Sequence, residues 1–161
     1  MGQVFFYHLT RQPLESVLPM LLGKARQAGW RVVVRGSNPQ RLEYLDEKLW
    51  LGPEESFLPH GRAGGEFDAD QPILLTNGPE LSNGAACVMA VDGAEVTAQE
   101  VQGLERVCIL FDGNDPAAVQ AARDQWKSLT AANCAAQYWS QDSGNWQKMA
   151  ESQPTERSTK P

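Results

Sequence analysis

Five short apolar runs, separated by segments with helical spacing, constrain the fold of this chain more than any other feature of its sequence. They span residues 4–9, 31–35, 72–76, 87–91 and 107–111. These runs lack the polar alternation of a half-exposed strand, so we expect strands that are covered on both faces. Short strands of this kind interleaved with helices predict an α/β sandwich around a mainly parallel five-stranded sheet.

The first two predicted helices follow from the spacing of leucines and from prolines and glycines at their ends. The first begins near Pro13 and stops by Gly29, and its apolar residues recur at intervals of three and four. Pro19 inside this helix predicts a kink or a later start. The second helix has Pro39 in its first turn and Trp50 near its end, and Gly52-Pro53 breaks it.

Two further helices are predicted in the second half of the chain. Residues 97–104 suffice only for a brief helix. The last helix has Asp115 as its N-cap and Pro116 in its first turn, and it continues to about Asn133 or somewhat beyond.

One domain, at residues 1–150, is expected from the length of 161 residues, since such a chain buries roughly 70% of the surface that it exposes when unfolded. Residues 52–71 are rich in proline and glycine and are predicted to be mostly loop. Residues 151–161 are polar and predict a disordered C-terminal tail.

The formal net charge of −6 argues against direct binding of nucleic acid, because the field of an acidic protein repels phosphate chains. No apolar run approaches the roughly 20 residues of a membrane span, and the first residues lack the pattern of a signal peptide. We therefore expect a cytoplasmic protein without a membrane partner. Stacking of single-stranded DNA on Trp126 and Trp139 is an alternative that conflicts with the charge.

Phosphate-binding and nucleophile motifs are not found in the sequence. The turn after the first strand contains no glycine, and no glycine-rich fingerprint for a dinucleotide or a nucleoside triphosphate occurs. The glycines at 61–65 precede Glu66 rather than an amphipathic helix, which favours a flexible loop. Ser56 lacks the flanking glycines of a nucleophile elbow.

The remaining reactive side chains also favour structural roles. Cys87, Cys108 and Cys134 lie in apolar contexts without metal-ligand spacing, so we expect buried, reduced thiols, no metal and no cofactor. His8 is expected to be packed and hydrogen-bonded within the first strand, and His60 to orient its turn or to contact a partner. The acidic residues at 46, 47, 54 and 55 are typical of a solvated helix end.

The last helix combines an apolar stripe with two cations. The apolar stripe contains four residues at intervals of three, four and three: Val119, Ala122, Trp126 and Leu129. Arg123 and Lys127 lie four residues apart beside it. Core packing with a solvated flank is one interpretation. The other is a site for a short acidic peptide that ends in an apolar residue and a free carboxylate.

A specific set of motifs resembles one known family. Residues 45–50 read L-D-E-K-L-W and residues 56–61 read S-F-L-P-H-G. They are accompanied by three further segments: F-Y-x-L at 6–9, Q-P-I-L-L at 71–75 and A-R-D-Q-W-K at 122–127. Together they resemble the chi subunit family of bacterial DNA polymerase III, from about residue 4 to residue 146.

This resemblance implies a Rossmann-like three-layer sandwich and a non-catalytic accessory subunit of the clamp-loader complex. It implies binding of the acidic C-terminal tail of single-stranded DNA-binding protein. Val119 and Trp126 would line the pocket for the apolar terminus, and Arg123 and Lys127 would hold carboxylates. Val119 stands where some relatives carry a lysine, which predicts a thinner basic rim. The alternative is a small α/β enzyme or nucleotide-binding protein acting at the sheet edge.

The resemblance also implies a second partner, the psi subunit or another clamp-loader component. Phe57 would anchor that interface, and Trp50 would support it or pack beneath it. Pro59 and His60 complete this predicted docking surface. Plain core packing of both aromatic residues is the alternative interpretation.

Overall fold

A computed structural model describes residues 2–50, 60–78, 81–141 and 146–153, apart from the side chain of Trp50. Four helices lie in these segments. They are α1 (Leu14–Gln27), α2 (Pro39–Trp50), α3 (Ala98–Gly103) and α4 (Pro116–Ala131), with a single 3-10 turn at Asp68–Asp70. None of the described helices combines the length and the apolar character needed to cross a bilayer.

Eight strands in the described residues form one sheet. They are β1 (Gln3–Leu9), β2 (Val32–Gly36), β3 (Gly61–Arg62), β4 (Ile73–Thr76), β5 (Cys87–Val91), β6 (Arg106–Asp112), β7 (Ala135–Ser140) and β8 (Gln147–Ser152). Their order across the sheet is β3-β4-β2-β5-β6-β1-β7-β8. Neighbouring strands are parallel except β7 and β8, which pair antiparallel.

The five predicted strands correspond to β1, β2, β4, β5 and β6, but the predicted strand number was wrong. The apolar runs do not predict β3, β7 or β8, and all three strands lie at or next to an edge of the sheet. β3 contains only two residues, and every residue of β8 is at least partly exposed. Strands that are not covered on both faces have no continuous apolar run, so the pattern that identified the central strands could not identify them.

Two hydrophobic clusters lie on opposite faces of the sheet, because successive strand residues point to opposite sides. Val32 and Val34 of β2 join the cluster that contains the leucines of α1 and α2. Val33 joins the other cluster, which includes Val101 of α3 and Leu129 of α4. Helices thus cover both faces of the central strands.

The helix termini follow the local sequence. Asp115 caps α4 by accepting a hydrogen bond from the N–H of Ala117 at 3.0 Å, with Pro116 in the first turn, as predicted. Gly29 follows α1 with a positive φ of 85°, and α1 begins at Leu14 despite Pro19.

The predicted domain boundary at residue 150 falls within β8, which continues to Ser152. Glu151 and Ser152 are therefore part of the sheet. The rest of the predicted tail, from residue 154, lies outside the described residues.

Candidate partner-binding site

α4 has two flanks with different surroundings. Ala122 and Leu129 are buried along the line where the helix contacts the sheet. Val119 and Trp126 lie seven residues apart on the flank that faces β7, and both are partly buried against the hydrophobic cluster of that face. The apolar stripe is therefore partly core and partly surface, and neither of the two interpretations from the sequence describes it alone.

Trp126 makes edge-to-face contacts with two aromatic rings. Its ring centroid lies 5.4 Å from that of Phe6 on β1 and 6.1 Å from that of Tyr138 on β7. The Phe6 side chain is fully buried, whereas Trp126 and Tyr138 keep part of their surface exposed. Edge-to-face packing fixes the indole ring without sealing it from solvent.

Arg123 and Lys127 are both exposed, one turn apart on α4. Among the described residues, neither side chain takes part in an ion pair. Two unpaired cations beside a partly exposed tryptophan form a local positive spot on a chain of net charge −6. Such a spot attracts carboxylates through charge-assisted hydrogen bonds.

The second predicted surface is described only in part. Trp50 is the last residue of α2, and Phe57 and Pro59 lie outside the described residues. His60 is buried, so its predicted role as a direct partner contact does not fit its position. Its Nε2 donates to the carbonyl oxygen of Asp46 at 3.2 Å and lies 3.1 Å from the Asp46 carboxylate. His60 thus links the backbone at residue 60 to α2 through Asp46.

A cavity of about 690 Å³ lies at the carboxyl ends of β1, β5 and β6. β1 leads into α1 on one face and the adjacent β6 leads into α4 on the other, which is where open α/β sheets usually bind ligands. At the two helix starts beside this cavity, Pro13 and Pro116 have no N–H group, and the Ala117 N–H is bound by Asp115, so these three positions offer a phosphate no free donor. Val119, Arg123, Trp126 and Lys127 do not line this cavity.

The three cysteines are buried and not in disulfides, as predicted. Cys87 and Cys108 lie on neighbouring strands, and a hydrogen bond between their thiols, together with burial, raises the pKa of Cys87. Burial also raises the pKa of Cys134. Thiols that stay protonated are poor nucleophiles. In the described part of the chain, no three His, Cys, Asp or Glu side chains are grouped as metal ligands.

Two residues near Trp126 were not assigned to the site from the sequence. His8 Nδ1 lies 2.6 Å from the hydroxyl of Tyr138, which confirms that His8 is packed and hydrogen-bonded. Tyr138 lies on β7, a strand that the apolar pattern did not predict. The available signal was the cluster of aromatic residues that follows α4, at Tyr138 and Trp139.

Comparison with known proteins agrees with the motifs. The sequence model of the family described as DNA polymerase III chi subunit, HolC, matches residues 1–137. A similar curated protein is the probable DNA polymerase III subunit chi of Rickettsia prowazekii (strain Madrid E). It is 21% identical over 117 residues, which cover 70% of this chain and 71% of the relative.

Proposed function

This chain belongs to the DNA polymerase III chi subunit family, and from that premise we propose that it is a non-catalytic accessory subunit of the clamp-loader complex in the cytoplasm. Its proposed task is to bind the acidic C-terminal tail of single-stranded DNA-binding protein and so to link the replicase to coated template. The Rossmann-like layering expected of the family is part of this proposal. Hydrophobic clusters on both faces of the sheet support it.

The observation that carries the proposal is the arrangement of three side chains on α4. Arg123 and Lys127 are exposed one turn apart, and Trp126 is partly exposed beside them. An acidic peptide that ends in an apolar residue offers carboxylates for the cations and an apolar group for the tryptophan. Val119 extends the apolar surface by two turns on the same flank.

The proposed ligand is a short protein segment rather than DNA itself. A chain of net charge −6 repels a long polyphosphate, but a local pair of cations still attracts a few carboxylates within a Debye length of about 8–10 Å. We expect affinity in the micromolar range, about −8 kcal/mol, that weakens as salt is added.

The second proposed partner is the psi subunit or another clamp-loader component. Trp50, Phe57 and Pro59 are its proposed contacts. The buried His60 would contribute to this surface by orienting the backbone at residue 60, because its ring bonds Asp46 within α2.

Titration of a peptide from the C-terminus of single-stranded DNA-binding protein tests the proposal. The complete peptide should bind, and a peptide without its last residue should bind more weakly. Arg123→Ala should lower the affinity by about 1–3 kcal/mol. Lys24→Ala is the matched control, since Lys24 is an exposed cation on α1, on the opposite face of the sheet. Equal isotherms for the wild type and Arg123→Ala would remove Arg123 from the site.

The alternative function, a small enzyme or nucleotide-binding protein, would use the cavity at the carboxyl ends of β1, β5 and β6. A thermal-shift screen with nucleotides separates the two. A large rise in melting temperature with any nucleotide would favour the alternative. We expect no rise, because the sequence contains no glycine-rich phosphate-binding fingerprint.

A further inference from the structure

Tyr138 is held in place from several sides. Its ring lies nearly parallel to that of Phe6, with centroids 6.5 Å apart and an interplanar angle of 13°. Phe111 contacts it at 5.9 Å and Trp126 meets it edge to face at 6.1 Å. Its hydroxyl lies 2.6 Å from His8 Nδ1. Ring contacts and a hydrogen bond together leave this side chain little rotational freedom.

His8 is confined in turn. Its ring packs against Phe111 at 5.1 Å, and the backbone of Gly113 passes so close that a Cβ at position 113 would overlap the His8 ring. The N–H of Gly113 donates to the carbonyl of Leu9 at 2.7 Å, which fixes that close approach. Glycine at 113 therefore allows His8 to occupy the place from which it bonds Tyr138.

The Tyr138 ring extends the apolar surface of α4 onto β7. Val119, Trp126 and Tyr138 all border the hydrophobic cluster of this face, and all three retain exposed surface. An apolar group that lies against the exposed part of Trp126 would also meet the ring that contacts it edge to face. Side chains that are already fixed in the free protein lose less conformational entropy when a ligand binds against them.

We propose that Tyr138, oriented by His8, is the specificity residue that recognises the apolar terminal residue of the bound tail. This inference rests on the proposed function and deepens it. Arg123 and Lys127 would attract carboxylates of the tail wherever they lie, whereas the ring pair of Trp126 and Tyr138 would respond to the last side chain. His8 is a positioning residue, since it acts through Tyr138 rather than on the ligand.

The test measures the affinity of each variant for two peptides, the complete tail and the tail without its last residue. Tyr138→Ala should weaken the complete peptide on the order of tenfold and leave the shortened peptide unchanged. Arg123→Ala should weaken both peptides. Trp139→Ala is the matched control, because Trp139 follows Tyr138 on β7 and its ring contacts Phe5 rather than Phe6, so both affinities should stay as in the wild type.

Two variants of His8 test the positioning role. His8→Ala should reduce the ratio of the two affinities, and His8→Asn should restore much of it, because the Asn amide can replace Nδ1 as a hydrogen-bonding group. Thermal unfolding of each variant confirms that it is folded.

The outcomes separate the two proposals. If the wild type binds the tail and Tyr138→Ala leaves the affinity ratio unchanged, the role of Tyr138 is refuted while the proposed function stands. If the wild type binds neither peptide, both proposals fail.

Discussion

Arg35 on β2 and Glu100 on α3 form a bidentate ion pair. Nη1 of Arg35 donates to Oε1 of Glu100 at 2.9 Å and Nη2 donates to Oε2 at 2.7 Å. Only 6% of the Arg35 side chain is exposed, against 22% for Glu100. Glu100 also accepts from the Thr97 N–H and completes a capping box at the start of α3. One carboxylate thus neutralises a buried cation and fixes a short helix to the sheet.

Removing Glu100 should destabilise the protein more than removing Arg35. Glu100→Ala removes the carboxylate that binds the buried guanidinium at two points and should lower the free energy of unfolding by about 3 kcal/mol. Arg35→Leu leaves a carboxylate that reaches solvent, so its effect should be smaller. Urea denaturation measures both.

Arg41→Leu is a control, since the Arg41–Asp92 pair is longer, at 3.4 Å, and 39% of the Arg41 side chain is exposed. It should change the free energy of unfolding by less than about 1 kcal/mol. If Glu100→Ala and Arg41→Leu lowered the free energy of unfolding equally, the Arg35–Glu100 pair would not be what fixes α3 to the sheet.

Stability should fall at acid pH through Glu100. The hydrogen bond from Arg35, partly opposed by desolvation, holds the pKa of Glu100 below its ordinary value of 4.5. A carboxyl group whose pKa is lower in the folded state stabilises the fold above its unfolded pKa, and the stabilisation disappears as the pH falls through the folded pKa. Urea denaturation between pH 7 and pH 3 should show a shallower decline for Glu100→Gln than for the wild type. Parallel curves would contradict this assignment.

The N-cap of α4 should contribute measurably to stability. Asp115→Ala removes the hydrogen bond to the Ala117 N–H and should lower the free energy of unfolding by about 1 kcal/mol. Asp124→Ala is the matched control, because Asp124 is an exposed carboxylate on the same helix that accepts a hydrogen bond from the Gln120 side chain at 3.0 Å rather than from a backbone N–H at the helix start. A change below about 0.5 kcal/mol is expected for that variant.

His60 should stabilise the fold through its hydrogen bond to the backbone carbonyl of Asp46 more than through its contact with the Asp46 carboxylate. His60→Ala removes a buried ring and leaves the carbonyl of Asp46 without this donor, which should cost about 2 kcal/mol. Asp46→Asn keeps the carbonyl acceptor and should cost much less. If the two variants proved equally destabilising in thermal unfolding, the carboxylate of Asp46 would be the more important acceptor.

The central part of the fold could be predicted because its signals are local. Continuous apolar runs identify β1, β2, β4, β5 and β6, because burial on both faces requires adjacent apolar residues. Asp115 with Pro116 identifies the start of α4, because helix capping depends on the residue types at consecutive positions. The motifs around residues 45–61 and 122–127 also indicate the family, because they are recognised from adjacent residues. Strands at or next to a sheet edge are partly exposed and have no continuous apolar run, so the sequence does not predict β3, β7 and β8.

The amino-acid sequence alone is enough to predict the α/β class, the family and the placement of Arg123 and Lys127 one turn apart on the same helix. The fold is what brings Tyr138 against Trp126 and His8 against Tyr138, and what buries His60 against α2. The reason is physical: helical periodicity relates residues three and four apart, whereas contacts between β1, α4 and β7 depend on strand order, which residues 130 positions apart do not encode locally.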